Sequence, residues 1–318
     1  MQTRVRLVTL LGCFSLMVTA CSPFGLDPSS CIQPVGGRPV LPLSSPYFVE
    51  EIALSPDGTK LAMSYHSPHI PHFGLFDLSA GRFRDWQLGD IVPFGPAGGG
   101  GFFAGLAWSA NGDRVYALND WTIHTLAIDR AAEQVAAPCK FCNGFDISSS
   151  GTLAIGGRRG DEPGEEQWVY AFDSVSTPTE SWSRRVDEFA SLAWSPDGTK
   201  LVVADLVEGA TGRTENRYRV YEHPSGKELP YSVTVSSAPK PTWYNNEELV
   251  ITQSSSSKVL RWNPSTGVST TLFAVGPEFK QRGELSAAFL REGSRWAVLV
   301  FDGRSGQTMK LDRACIKP

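Results

Sequence analysis

Three of the five His residues in this 318-residue chain fall within seven positions, as His66, His69 and His72 of HSPHIPH. Imidazole is the commonest transition-metal ligand, and a spacing of three in a turn-rich segment would let several rings face one divalent ion. Pro68 and Pro71 stiffen the segment, and it contains no Cys or acid to complete a tetrahedral set. The competing reading is an exposed polar loop. A second candidate is CKFC, with Cys139 and Cys142 at the spacing of a redox dithiol. Redox dithiols of this type open a helix whose N-terminus lowers the thiol pKa, whereas this one lies between strand-like stretches, which favours a local structural disulfide. Arg158, Arg159, Trp121 and Trp168 are candidate ligand contacts, the two Trp because they stand outside the recurring strand pattern described next. The Arg159-Gly160-Asp161 tripeptide arises readily by chance. The Gly-rich stretch from Gly95 to Gly101 has no following Gly-Lys-Ser or Gly-Lys-Thr and so is no phosphate loop. No GxSxG, HExxH or spaced Ser/His/Asp set occurs, so no catalytic residue is assigned.

The elements that must position these residues repeat. Six stretches share one pattern, an apolar run, a polar turn and a second apolar run: IALSPDGTKLAMSY from Ile52, LAWSANGDRVYAL from Leu106, FDISSSGTLAIGG from Phe145, LAWSPDGTKLVVA from Leu192, PTWYNNEELVITQ from Pro241 and AAFLREGSRWAVLV from Ala287. Asp-Gly and Asn-Gly between apolar runs are strong hairpin signals, because such turns need a positive φ that Gly and Asn tolerate. Leu54, Trp108, Ile147, Trp194, Trp243 and Phe289 recur ahead of the turn, and a later strand closes on Asp77, Asp129, Asp173, Glu222, Asn263 or Asp312. Turn spacings of 39 to 54 residues match four-stranded propeller blades. The turn is expected to join the second and third strands of a blade, and the Gly-rich stretch the first and second strands of the next. The long, diverse connections at the other end, including residues 66–72 and 156–167, form the expected working surface.

SPDGTKLAMSY and WSPDGTKLVVAD resemble the WD40-like repeats of TolB-type β-propellers, over about residues 47 to 315. The resemblance implies an all-β, six-bladed propeller of four-stranded antiparallel blades, occupying residues 31–318 as a single domain. The α/β domain that precedes the propeller in TolB has no counterpart here. The last repeat stops at its Asp312 motif, so the segment after Cys31 is expected to supply the strand that closes the ring. That closure would bring Cys31 beside Cys315 for a disulfide. Cross-linking positions 284 residues apart would stabilise by about 5 kcal/mol in the simple chain-entropy account.

The N-terminus reads as a targeting segment. Arg4 and Arg6 precede a 14-residue apolar run from Leu7 to Ala20, shorter than the roughly 20 residues of a spanning helix. Val18-Thr19-Ala20-Cys21 resembles a bacterial lipobox, which implies removal of residues 1–20, acylation of Cys21 and a short tether over residues 21–30. Ser22 after the Cys points to the outer membrane, on its periplasmic face or at the cell surface. Cleavage removes two Arg and no acid, moving the net charge from −4 to −6, with no basic field for nucleic acid. The expectation is a monomeric, non-catalytic envelope module that binds a protein or glycan and needs no cofactor. The alternative is a propeller hydrolase or lyase assisted by a divalent metal at His66, His69 and His72.

Overall fold

The computed structural model describes residues 32–34, 48–67, 70–87, 105–119, 122–127, 133–136, 140–158, 166–175, 178–209, 212, 214–235, 241–253, 258–274, 285–294, 296–301 and 308–312. Strand β1 (Ile32–Pro34) is followed by sheet I, made of β2 (Phe48–Leu54), β3 (Lys60–Ser67), β4 (Ile70–Asp77) and β5 (Arg82–Gln87). Sheet II contains β6 (Gly105–Trp108), β7 (Arg114–Asn119), β8 (Thr122–Ala127) and β9 (Glu133–Ala136). Sheet III contains β10 (Lys140–Ile147), β11 (Leu153–Arg158), β12 (Gln167–Phe172) and β13 (Glu180–Val186). Sheet IV contains β14 (Glu188–Trp194), β15 (Lys200–Glu208), β16 (Thr214–Glu222) and β17 (Val233–Val235). Sheet V contains β18 (Thr242–Trp243), β19 (Leu249–Gln253), β20 (Lys258–Trp262) and β21 (Ser269–Ala274). Three C-terminal strands, β22 (Leu285–Phe289), β23 (Trp296–Phe301) and β24 (Thr308–Asp312), form sheet VI together with β1, in the order β1-β24-β23-β22.

The chain is thus an all-β propeller, and the expectation of six blades is corrected to five. Five blades are self-contained, each built from four consecutive strands, whereas the sixth sheet is a composite of three strands from one terminus and one from the other. Ile32 pairs with Leu311 and Pro34 with Met309, antiparallel, so the N-terminal strand covers the edge that β24 would otherwise expose.

The recurring turn owes its shape to a short polar grammar. In the first copy the Ser55 amide donates to Lys60 O at 2.8 Å and the Gly58 amide to Ser55 O at 2.9 Å. Asp57 Oδ1 accepts from Ser55 Oγ at 2.6 Å and from the Thr59 amide at 3.0 Å. Ser195, Asp197 and Thr199 repeat the arrangement, with Gly198 at φ 72 as Gly58 is at φ 69. A side chain at such a φ crowds its own backbone, so Gly occupies the position. These turns join the first and second strands of each sheet, β2 to β3 and β14 to β15, not the second and third as the sequence suggested. The apolar run ahead of the turn is itself the first strand. The Gly-rich stretch falls between β5 and β6, outside the described residues, and joins one sheet to the next rather than two strands of one sheet.

Packing is organised by junction. Ala53, Ala62, Phe73 and Leu75 of sheet I bury against Leu106, Trp108, Val115 and Ala117 of sheet II. Equivalent clusters join each later sheet to its neighbour, and Phe289 and Val298 of sheet VI bury against Ile52, Leu61 and Met63 of sheet I. Leu54, Trp108, Ile147, Trp194 and Trp243 therefore face the preceding sheet, whereas Phe289 packs the other way, toward sheet I. Trp108 Nε1 donates to Ala53 O at 2.8 Å, and Trp243 Nε1 donates to Ala193 O at 3.0 Å, so each indole contributes both area and a satisfied donor across a junction. Four of the first strands, β2, β10, β14 and β22, have a register shift ahead of the turn. Such bulges raise the local twist that a propeller blade requires.

Candidate binding surfaces at the two ends of the ring

Alternating strand direction sends the turns after first and third strands to one end of the ring, here the turn end. Connections after second and fourth strands reach the other, the loop end. The loop end of sheet I holds one of the sequence candidates. His72 on β4 pairs with Tyr65 on β3 and stacks on it, rings 5.1 Å apart at 9°. His72 Nδ1 lies 3.3 Å from Asp85 Oδ1 on β5, and the same oxygen accepts from Tyr65 Oη at 2.5 Å. His66 is placed on β3 opposite Pro71, while His69 lies outside the described residues. Among the described residues no three His, Cys, Asp or Glu side chains gather as a metal set.

Arg158 ends β11, opposite Lys140 and Gln167. Trp168 is half-buried and packs on the cluster between sheets II and III, while Arg159 and Trp121 lie outside the described residues. Cys142 is buried and disulfide-bonded. Its expected partner Cys139, and Cys21, Cys31 and Cys315, lie outside the described residues.

A second loop-end constellation had no sequence motif. Asp205 on β15 is fully buried and accepts from both Arg217, its register partner on β16, and Arg219 at 3.0 Å. Arg217 also reaches Asp187, in the link between β13 and β14, at 2.5 Å. The hydrogen bond to Asp205 holds the Arg217 guanidinium above its ordinary pKa. A buried carboxylate with two guanidinium partners is satisfied, which suits a structural clamp on sheet IV. The signal available in sequence was an apolar strand interrupted by one Asp, legible only once its register partners are known.

At the turn end the first strands of all six sheets border the central channel, whose space is about 470 Å³ including the solvent in its open mouth. Ala53, Ala107 and Ala193 line it at one repeated position, and Asp146 replaces Ala there in sheet III. Asp146 Oδ2 accepts the Trp194 backbone amide at 2.7 Å. Arg291, at the turn position held by Pro56 and Pro196 in other sheets, donates to Pro56 O at 2.5 Å and ties sheet VI to sheet I. Burial lowers the Arg291 pKa, against the raising influence of Asp146 and Asp57. Trp194 Nε1 is buried without a hydrogen-bond partner, unlike Trp108 and Trp243. Neither Asp146 nor Arg291 was singled out in sequence, although a charge at a position otherwise held by Ala or Pro was visible there.

No family model matches the chain, and no curated protein matches it. Solved structures do. The β-propeller domain of Cps50 (Swd1) from Myceliophteria thermophila superposes with a TM-score of 0.50 at 10% identity, covering 83% of this chain and 97% of that one. Hydrazine synthase of Kuenenia stuttgartiensis gives 0.50 at 13% identity, covering 85% and 96%. A putative TolB from Agrobacterium tumefaciens gives 0.49 at 14% identity, over 70% and 74%. At such identities the likeness is one of architecture, and what this chain shares with the first two is the β-propeller fold.

Proposed function

We propose that the protein is a non-catalytic binding module of the bacterial cell envelope, a propeller held to the membrane by lipid at Cys21, whose loop end engages an envelope protein or glycan. In this reading the composite sixth sheet acts as the closing blade of one ring. The observation that carries it is the contrast between ends. The turn end repeats one Ser-Asp-Gly geometry, while the loop-end links vary from the one residue between β13 and β14 to the 17 between β5 and β6. Variable connections on a rigid frame are where recognition usually resides.

Site-specific photocrosslinking in cells tests it. Probes at Arg158 and Trp168 should capture an envelope component that probes at Thr59 and Thr199 in the turns do not. Equal capture from both ends, or none from either, sinks the reading. Cys21→Ala should release the protein from membranes, and continued membrane retention would refute the lipid anchor.

A second reading, metal-assisted hydrolysis or lysis through His66, His69 and His72, draws on one feature. Asp85 holds His72 Nδ1 as carboxylates hold metal-ligating His. Stoichiometric metal in purified protein, lost in the triple Ala variant, would favour it. Metal-free protein after saturation with zinc or manganese would exclude it.

A further inference from the structure

The loop-end reading leaves one built feature unused, the pair of charges in the turn-end mouth of the channel. Asp146 comes from sheet III and Arg291 from sheet VI, three sheets apart in the ring and therefore from opposite walls of the same space. Neither charge is needed to form a first strand or its turn. Along the channel the other sheets place Ala53, Ala107, Ala193, Thr242 and Phe289, none of them charged, at the level of Asp146, and at the sequence position of Arg291 they carry Pro56, Ala110, Ser149, Pro196 and Asn245. Between the charges the wall is aromatic, with Trp108, Trp194, Trp243 and Phe289 lining the space. Trp194 departs from its counterparts in that its Nε1 is buried yet makes no hydrogen bond.

We propose that this mouth is a binding site for a small zwitterion, with Arg291 taking its carboxylate and Asp146 its ammonium group against the Trp wall. The charge arrangement selects that class. Asp146 and Arg291 line the same mouth. A lone anion there meets the Asp146 carboxylate, and a lone cation meets the Arg291 guanidinium. A ligand carrying both charges keeps the mouth electrically matched. Guanidinium holds carboxylate through parallel N–H donors, and aromatic faces attract ammonium and quaternary ammonium groups. Trp194 stands beside Asp146, which holds its backbone amide, so the ammonium end meets both a carboxylate and an indole.

Isothermal titration of the purified chain, with glycine and glycine betaine as probes and acetate and tetramethylammonium as single-charge controls, tests the site. At least one zwitterion should bind saturably with one site per chain, the controls at least about tenfold weaker. Asp146→Asn and Arg291→Ala should each weaken binding about tenfold or more while circular dichroism stays that of the folded protein. If Arg291→Ala fails to fold, Arg291→Lys keeps the charge, loses the fork and should bind more weakly than the parent. Arg84→Gln, at an exposed position of β5, should leave this binding unchanged. No saturable heat with either zwitterion overturns the proposal. Acetate binding as tightly as betaine, or folded variants that bind like the parent, would do the same.

Discussion

The turn end and the loop end of this ring use polar side chains in opposite ways. At the turn end one arrangement recurs: Ser55 with Asp57 and Thr59, Ser195 with Asp197 and Thr199, Ser109 with Asp113, and Ser148 with Ser150 and Thr152. At the loop end each constellation occurs once. Asp205 clamps Arg217 and Arg219 in sheet IV, and Asp85 gathers Tyr65 and His72 in sheet I. The repeated set stabilises local chain reversals that any blade needs. The single ones join strands already placed by the ring, so they vary without disturbing it. A residue at the turn end should matter to stability in proportion to its share of the repeat, and at the loop end in proportion to its burial.

The largest effect expected from this contrast is at Asp205. Asp205→Ala leaves two guanidinium groups facing a dry site and should cost about 3 kcal/mol, read from urea denaturation. A loss below about 1 kcal/mol would mean that Asp187 and Glu228 take over the clamp, and the loop-end constellation would then be ornamental.

Next come the turn glycines, which sharpen the comparison within the repeat. Gly198→Ala forces a side chain at φ 72 and places its Cβ 3.1 Å from Ser148 Cβ of the adjoining sheet, whereas at Gly151, φ 86, nothing lies within 4 Å. Gly198→Ala should therefore cost about 2 kcal/mol and Gly151→Ala about 1. Equal losses would show that the turns report only their own backbone and not the neighbouring sheet.

Asp85→Ala should cost about 1 kcal/mol or less, since Asp85 is partly exposed and its partners can turn to water. It should nevertheless reduce partner capture at the loop end. Unchanged capture would remove sheet I from the working surface.

The smallest effect is electrostatic. Partial burial pushes the Asp57 carboxyl up, but hydrogen bonds from Ser55 and Thr59 and the Lys60 charge outweigh it and bring the pKa down to about 2. Asp197 is shifted in the same direction by the same kinds of contact. A depressed folded pKa stabilises above the unfolded value near 4 and is lost as pH falls from there toward 2. Melting temperature should fall over that window. Asp57→Asn should flatten the fall by an amount worth under about 1 kcal/mol, because the group is solvent-screened. A fall already under way above the carboxylate range would point instead to His124 and His223, whose imidazole pKa burial lowers.

The repeated turn, the apolar position ahead of it and the strand that closes on Asp or Asn were legible in the residues, because hairpin geometry depends on neighbours within a few positions. Strand rank was not. The apolar run before each turn had to be read as a first strand rather than a second, and only lateral pairing distinguishes the two. The same limit hid both charged constellations. Asp205 finds Arg217 through register, and Asp146 shares a cavity with Arg291 through the closing of the ring, at sequence separations that no local spacing encodes.

What the sequence determined by itself is what short-range forces decide: six copies of a turn, the residues that cap it, and an apolar pattern that needs a neighbour on each side. Only the tertiary structure decided that five blades are self-contained while the remaining sheet borrows β1, and that Asp146 and Arg291 border one space. Those outcomes depend on which sheet lies beside which, and the free energy that selects them comes from side chains buried across junctions, as Trp108 is against Ala53, rather than from contacts along the chain.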